Sequence, residues 1–549
     1  MTTTDTPETT GTTGAPLWEE LVTTALLGTD RRTPPAGLSP VGRPGGDPAT
    51  ALLDAAALHT VRRRAGLLPA PAAERPEPAP ADPRPPLPAA ARRRLEQLLA
   101  DRAAPSAGGR RGVAPDLTEL LPQWLTTAQE QGYRAPSALL PAVLDAARAR
   151  TDLRPHALAF AGARALWLAR FNPEWRFALR GASGGGVALP ELSEPEKVRA
   201  LWEEGLFAER VALLTAVRGQ DPAGGLALLT GSWGTERAED RLMFLDALRT
   251  GLSRADEPFL ETALGDRSRN VRATAAELLA ALPESALAAR MAERAVSCVA
   301  PDREGDGAAI AVEAPHSCDA EMQRDGVAAT PPAGRGKRSW WLGQLVAAAP
   351  LATWTHRFGG RSPEEIVALP VADGWREELH TAWCRAAVRQ GDAPWSRALL
   401  GPAGVPPESG TGTPSLAARA ELLAALPGDE RAHWVAEFIA AHGLSEAFQL
   451  LGVCPVPWSR PLGHAVVDAL DMARDAGSYP WSFSGVMGLA ERCLHPSAVD
   501  RLEPLTAARA ESEDTSPGAD GYWSEAFQRL VSTLRLRDAM HRELTGTAP

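Results

Sequence analysis

The residues best suited to chemistry are two cysteines and a histidine in one irregular segment. Cys298 precedes the pair His316 and Cys318, with Gly, Pro and Asp residues between them. Thiolate and imidazole groups are ligands that zinc prefers, and three of them would leave a fourth position open. Their spacing matches no ordinary zinc motif, so we predict free thiols and no metal site. Five isolated cysteines also fit a reducing compartment better than a disulfide framework.

Known catalytic and nucleotide-binding signatures do not occur in the sequence. There is no GxSxG, HExxH, Walker A or Rossmann glycine pattern, and the glycine run at 184–186 lacks the Lys-Ser/Thr of a phosphate-binding loop. We therefore predict no catalytic residue and no cofactor. The alternative is an enzyme of an unrecognised type with a site at the junction of two helical halves, where the candidate residues are His316, Cys318, Asp319, Arg324 and His356.

The charge balance argues against nucleic-acid binding. The 549 residues include 57 basic and 68 acidic side chains, a formal net charge of −11, whereas a general nucleic-acid binder needs a basic surface. Two arginine triplets could contact phosphates, but neither is interleaved with the aromatic residues that single-strand binding requires. We favour solvated helix faces for both triplets: Arg62, Arg63 and Arg64, and Arg92, Arg93 and Arg94.

A short polar segment near the beginning of the chain has two interpretations. Gly28, Thr29, Asp30 and Arg31 follow an apolar helix predicted over residues 17–27, with Leu17, Trp18, Leu21, Val22, Ala25 and Leu26 on its buried side. The first interpretation is a helix end and a turn in which Asp30 pairs with an arginine. The second is a partner-docking loop, because a polar turn beside a terminal helix is easily presented to another protein.

Helical repeats are the main structural signal. Val271, Ala275, Leu278, Leu279 and Leu282 recur at three- and four-residue spacing and form one apolar stripe. Asp266 and Ser268 are predicted to cap this helix. An Asp in the turn followed by Val-Arg in the helix is typical of HEAT-like repeats, which bury their stripes only by stacking.

The predicted fold is mainly α, an irregular HEAT-like α-solenoid or helical repeat array with a small strand-containing insertion near 297–338. In the preceding repeats, Arg237 and Arg241 are predicted to form a solvated ion-pair face with Glu236 and Asp240. The predicted organisation along the chain is a disordered tail (1–15), N-terminal helices (16–68), a Pro-rich solvated linker (69–88), a helical region (89–182), HEAT-like repeats (194–296), the irregular insertion (297–338), a C-terminal helical region (339–510), an acidic loop (511–520) and a terminal helix and tail (521–549).

We expect a cytoplasmic protein. Residues 1–16, MTTTDTPETTGTTGAP, have neither the basic start nor the apolar core of a secretory signal. No apolar run approaches the ~20 residues that cross a bilayer. We therefore expect no membrane partner.

Four segments resemble an uncharacterised bacterial family, the domain-of-unknown-function family 5691. They are LWEELVTTALLGTDRRTPP (17–35), DEPFLETALGDRSRNVRATAAELLAALPESALAARM (256–291), RSWWLGQLVAAAPLATW (338–354) and WREELHTAWCRAAVRQGDAPWSRALL (375–400). The resemblance transfers no catalytic residue. It implies a genomic association with a SWIM zinc-finger protein, a MoxR-type AAA ATPase and a von Willebrand A-domain protein, and hence a helical adaptor or scaffold that binds protein partners.

Overall fold

The computed structural model describes residues 15–32, 47–65, 76–79, 81–103, 114–181, 189, 192, 194–302, 309–406, 413–507 and 519–546. The backbone divides into two compact units, Met1–Ala79 and Pro80–Pro549. The predicted tail before Ala15, the glycine run at 184–186 and most of the predicted acidic loop lie outside the described residues, as do residues 69–75 of the Pro-rich segment.

The first unit contains a pair of helices, α1 (Ala15–Leu27) and α2 (Pro48–Ala65), which contact each other. The Trp18 ring lies 6.0 Å from the ring of the buried His59, and Leu21 and Thr24 are also buried. The predicted buried side of α1 is wrong at three positions, because Val22, Ala25 and Leu26 are exposed. Within this helix pair a narrow stripe of α1, which includes positions 18, 21 and 24, is buried or half-buried, rather than a wide apolar face.

The second unit begins with five helices around a shared core. Trp124 and Phe160 meet edge to face in this core, with ring centroids 5.5 Å apart, and both side chains are fully buried. The helices are α3 (Ala89–Ala103), α4 (Leu117–Glu130), α5 (Leu140–Ala149), α6 (Arg154–Phe171) and α7 (Arg176–Gly181).

Part of the predicted solvated linker packs on these helices instead. The Arg84 guanidinium donates hydrogen bonds to the carbonyl oxygens of Ala159 (2.9 Å) and Phe160 (3.1 Å) and pairs with Asp82 (2.8 Å). The break of α6 at Gly162, where φ is 63°, frees the carbonyls that precede it. The prediction of a solvated 69–88 linker is therefore wrong at this point, because side chains supply hydrogen bonds that proline cannot donate.

Seven helices follow over the predicted repeat region: α8 (Pro195–Glu204), α9 (Phe207–Gln220), α10 (Pro222–Ser232), α11 (Ala238–Ala247), α12 (Glu257–Ala263), α13 (Arg269–Ala280) and α14 (Ala286–Cys298). Helix α9 contacts α8, α10 and α11, and α13 contacts α11, α12 and α14. The predicted stripe of α13 is buried at Val271, Ala275, Leu278 and Leu279. The predicted capping of this helix is wrong, because Asp266 instead accepts from the Ser268 N–H (2.7 Å) and from Arg241 (2.7 Å).

The predicted insertion contains one small sheet. Strands β1 (Val299–Pro301) and β2 (Ile310–Val312) pair antiparallel, with Val299 opposite Val312. The remaining described part of the insertion includes a short helix, α15 (Ala320–Arg324), whose end is followed by the buried Asp325. Asp325 receives hydrogen bonds from Arg290 (2.9 Å) and Arg294 (2.6 Å) of α14, so the insertion is fastened to the repeat before it.

The helical pattern then continues to the end of the unit. The helices are α16 (Lys337–Ala348), α17 (Ala352–Arg357), α18 (Pro363–Ala368), α19 (Arg376–Gln390), α20 (Ala393–Leu400), α21 (Leu416–Ala424), α22 (Gly428–Leu451), α23 (Arg460–Asp475), α24 (Ser484–Cys493), α25 (Val499–Leu502) and α26 (Ala519–Thr545). The prediction of a mainly α helical array with a small strand-containing insertion is confirmed. None of the helices within the described ranges has the length and apolarity to cross a membrane.

The terminal helix α26 joins two hydrophobic cores. Its residues Leu530 and Leu534 are buried in the core built by α8 to α25, whereas Met540 and Leu544 are buried in the core of α3 to α7. Asp520, predicted to lie in a loose acidic loop, is instead in the first turn of α26 and pairs with the buried Arg474 at 2.5 Å. This ion pair offsets the cost of burying the Arg474 guanidinium.

Candidate functional site

The predicted docking segment lies at the carboxyl end of α1. Gly28 has a φ of 84°, and its N–H donates to the Thr24 carbonyl at 3.0 Å, which ends the helix as predicted. The N–H groups of Arg31 and Arg32 both donate to the Gly28 carbonyl at 3.1 Å, so the turn folds back on the glycine. The backbone thus holds this segment in one defined turn beside the helix end.

Large apolar side chains are exposed immediately before this turn. Leu26 is 82% exposed and Leu27 is 52% exposed. Asp30 and Arg31 are exposed as well, and the predicted ion pair of Asp30 with an arginine does not form among the described residues. The helix end therefore presents two adjacent leucines beside an acidic and a basic side chain, all reachable from solvent.

The residues proposed for metal binding or catalysis have separate structural contacts. His316 is exposed and faces Glu313, with its Nε2 3.4 Å from a carboxylate oxygen. Asp319 caps α15 by accepting from the Met322 N–H at 2.7 Å. Arg324 and His356 are exposed. Over the described ranges, no three His, Cys, Asp or Glu side chains converge in a group that could hold a metal ion.

The cysteines have thiol environments that disfavour the thiolate. All five are free. Burial raises the pKa of Cys384 to about 12 and that of Cys454 to about 11, and burial also raises the pKa values of Cys298 and Cys318. Because the thiolate is the nucleophile and the metal ligand, these sites lack the electropositive setting of reactive cysteines.

Two of the three arginines in the triplet on α3 form ion pairs within the fold. Arg92 pairs with Glu96 one turn later at 3.1 Å. Arg94 forms a two-pronged pair with Glu543 of α26, with N–O distances of 2.8 and 3.1 Å. The side chains of Arg62, Arg63 and Arg64 lie outside the described residues. The Arg94 pair fastens the terminal helix to the first helices of the unit.

A cavity of about 780 Å³ lies between α4, α26 and the residues around Pro457 and Pro496. Three of its charged side chains have structural partners. Arg535 pairs with Glu503, and Asp538 pairs with Arg542. Arg537 donates to the Gln123 side chain at 2.9 Å and to the Leu494 carbonyl at 2.5 Å, and burial lowers the pKa of Arg537 to about 10. These three groups join elements of the fold.

Comparison with known proteins places most of both units in a single family. The profile of the Family of unknown function (DUF5691) matches residues 20–544. The chain belongs to this family. Among curated proteins, none matches the chain. The resemblance predicted from the four sequence segments is thus confirmed, and the DUF5691 match extends continuously across the insertion and the terminal helix.

Two triads in this DUF5691 chain were not predicted from the sequence. The Arg210 guanidinium lies 4.6 Å over the Trp202 ring and pairs with Glu236. The Arg241 guanidinium lies 5.5 Å over the Trp233 ring and pairs with Asp266 at 2.7 Å. The prediction that Arg241 belongs to a solvated face with Asp240 is wrong, because its carboxylate partner, Asp266, lies on the connection between α12 and α13.

An aromatic cavity on the surface of unit two was also missed. It measures about 540 Å³ and lies between α24 and α26. Trp481 on its rim is 56% exposed, and Tyr522 is 37% exposed. The Tyr479 ring stacks on Trp481 with centroids 4.2 Å apart. The available signal was the clustering of aromatic residues as SYPW and GYW in a DUF5691 chain with only 5% aromatic residues.

Proposed function

We propose that this protein is a non-catalytic scaffold or adaptor that docks a protein partner through the end of α1. The observation that carries this proposal is the exposure of Leu26 (82%) and Leu27 (52%) on a helix end whose direction is fixed by Gly28. The charged side chains of Asp30 and Arg31 flank the leucines, giving an apolar centre with a polar rim. Interfaces between proteins commonly have this arrangement.

The apolar part of this surface is large enough to act as an anchor. Burying a fully exposed leucine against a partner is favourable by roughly 1.5–3 kcal/mol before the costs of association. Asp30 and Arg31 would mainly affect the association rate and the choice of partner, because exposed charges contribute less to affinity than to steering. The interaction is therefore proposed to depend on the two leucines and to be tuned by the two charges.

The family association supplies the candidate partners. The resemblance implies neighbouring genes for a MoxR-type AAA ATPase and a von Willebrand A-domain protein, and we propose that the docked partner is one of these two. An array of helices such as unit two supports a scaffold role, because stacked helices offer long faces to other proteins.

The test is binding of the full-length chain to each purified candidate partner, measured by biolayer interferometry. The double variant Leu26→Ser with Leu27→Ser is expected to weaken binding by about a hundredfold, since losing about 3 kcal/mol of apolar burial corresponds to that factor. Asp30→Arg is expected to change the association rate and its salt dependence more than the dissociation rate.

Leu53→Ser is the matched control. Leu53 is 70% exposed and lies on α2 of the same unit, so this variant removes an exposed leucine without touching the turn. Binding by the Leu53 variant should equal that of the unchanged chain. Equal binding by the double variant, or an equal loss in the Leu53 variant, would contradict docking at the end of α1.

A further inference from the structure

One arrangement of side chains recurs around arginines of this chain. In each of two triads, an indole ring contacts the guanidinium of an arginine while a carboxylate accepts its hydrogen bonds: Trp202 with Arg210 and Glu236, and Trp233 with Arg241 and Asp266. Arginine suits this arrangement because its planar fork matches both a ring face and a carboxylate. Two further arginines lie over tryptophans, Arg335 over Trp340 at 5.9 Å and Arg419 over Trp434 at 5.7 Å.

Trp481 and Glu525 bring the same two recognition groups to one surface cavity. Both residues line it, Trp481 before α24 and Glu525 on α26. Glu525 is exposed and has no ion-pair or hydrogen-bond partner among the described residues. Tyr522 lies three residues before Glu525 on α26, so the two side chains share a helix face, and the Tyr522 ring meets Trp481 edge to face at 5.3 Å.

The walls of the cavity favour a flat cation. The Tyr479 ring stacks on the Trp481 indole, inclined by only 11°, and Trp481 nevertheless remains 56% exposed, so part of its ring is accessible to a ligand. Met487 and Ala526, both buried, form an apolar floor. Of the charged side chains that line the cavity, Arg529 pairs with Glu491 at 2.8 Å, and Glu525 remains as the carboxylate available to a cation.

We propose that this cavity is a binding site for an arginine side chain supplied by a segment of a partner protein. The guanidinium stacks on the accessible part of the Trp481 ring, and Glu525 accepts its hydrogen bonds. The two internal triads form this arrangement of ring, guanidinium and carboxylate within the chain, and the cavity would form it with an arginine from a second molecule. A quaternary ammonium group would use the ring but has no N–H to donate to Glu525. A lysine ammonium could donate, but only the planar guanidinium can lie flat on the ring while it donates two parallel hydrogen bonds to the carboxylate, which favours arginine.

The site is independent of the leucine surface in the first unit, so the experiment does not use the docking partner. The full-length chain is labelled with 5-fluorotryptophan and observed by ¹⁹F NMR, and the Trp481 resonance is assigned as the one lost in Trp481→Phe. The probe is a blocked tripeptide with arginine between two glycines. It is titrated to about 50 mM, because a single side chain at an exposed site is expected to bind with millimolar affinity.

The expected result is a saturable shift of the Trp481 resonance with the arginine probe and no shift with the matched citrulline probe, which keeps the shape and loses the charge. Glu525→Gln should weaken the interaction about fivefold, as expected for an exposed ion pair. Glu446→Gln is the matched control, because Glu446 is an exposed carboxylate on α22 away from the cavity lining, and it should bind the probe unchanged.

Four outcomes would overturn the proposal. They are no shift at the highest concentration, an equal shift with citrulline, an equal or larger shift with tetramethylammonium, and unchanged affinity in Glu525→Gln. None of these results depends on Leu26 or Leu27, so the arginine site can fail while docking at α1 stands, and the reverse also holds.

Discussion

Replacing Arg218 by methionine is expected to destabilise the repeat region strongly. Arg218 is 1% exposed and donates to both carboxylate oxygens of Asp256, at 2.8 and 3.0 Å. Asp256 is also 1% exposed. The same guanidinium donates to four carbonyl oxygens. One is that of Pro222 at the start of α10, and the other three, of Leu248, Thr250 and Gly251, lie in the turn that follows α11.

The size of the effect follows from what remains buried. In Arg218→Met, Asp256 keeps only the hydrogen bond from the Ser253 N–H, at 2.9 Å, to offset the burial of its charge. Removing one partner of a buried ion pair costs about 3–5 kcal/mol. The second variant, Arg218→Met with Asp256→Asn, removes the orphaned charge and should recover at least about 1 kcal/mol of that loss.

The measurement is native-state hydrogen exchange followed by mass spectrometry over residues 207–264. It reports the local free energy of opening and does not require the whole chain to unfold in one step. Arg249→Met is the matched control on the same stretch. Arg249 pairs with Glu277 at 3.0 Å, but both side chains are nearly half exposed, at 46% and 49%, and an exposed pair contributes less than about 1 kcal/mol.

The reasoning fails if Arg218→Met lowers the local free energy of opening by no more than Arg249→Met does. It also fails if the double variant is less stable than Arg218→Met, because the orphaned carboxylate would then not be the source of the cost. The first result would mean that neither the ion pair nor the carbonyl contacts of Arg218 stabilise this corner, because Arg218→Met removes both.

Two further predictions concern the fold. Gly162→Ala should lower the melting temperature with a loss of roughly 2 kcal/mol or more, because φ is +63° and the added Cβ would lie 2.4 Å from Arg84 Nη2; Gly231→Ala, in open space on α10, should be neutral or slightly stabilising in the same thermal scan. Because burial raises the pKa of Cys384 from 9.0 to about 12, the unfolded chain loses this proton first, so in urea denaturation the contribution of Cys384 to the free energy of unfolding should be constant below pH 9 and fall as pH rises from 9 towards 12. Cys384→Ala should make this fall shallower without removing it, because burial also raises the pKa of Cys454 to about 11, and an unchanged slope would contradict the assignment.

Helix positions were predictable where the deciding contacts are local. Within the repeat region the sequence pattern predicts helices at 206–218, 222–231 and 236–252. The first two correspond to Phe207–Gln220 and Pro222–Ser232, because apolar spacing, proline and glycine act within a few residues. The third is observed only over Ala238–Ala247. Arg218, some thirty positions earlier in the chain, binds the carbonyls of Leu248, Thr250 and Gly251 in the turn that follows, and such a distant partner leaves no local signal.

In the candidate sites, too, features set by local contacts were predictable and features set by tertiary packing were not. The end of α1 at Gly28 was predicted, since a glycine with positive φ acts on its own turn. The exposure of Leu26 was not, because apolar spacing does not reveal how many neighbouring helices surround α1. The aromatic cavity was missed because Trp481 and Glu525 lie on elements that meet only through tertiary packing.

The ion pairs and ring contacts of this fold give a physical reason for the use of arginine rather than lysine. Only Lys197 and Lys337 are lysines among the 57 basic residues. Arginines join elements that are distant in sequence, as in Arg290 with Asp325 (2.9 Å) and Arg529 with Glu491 (2.8 Å). A lysine could neutralise those carboxylates, but its ammonium group cannot stack flat on an indole while it forms two parallel hydrogen bonds.

The chain uses this geometry between its own helices, and the proposed arginine site would use the same geometry to bind a partner at its surface. The guanidinium, the ring and the carboxylate need only come from two molecules instead of one. Placing the ring and the carboxylate on Trp481 and Glu525, on elements held by the buried side chains of Met487 and Trp523, keeps both groups in position before the partner arrives. Such preorganisation lowers the entropic cost of binding, so a single exposed tryptophan beside one carboxylate can select an arginine without a deep pocket.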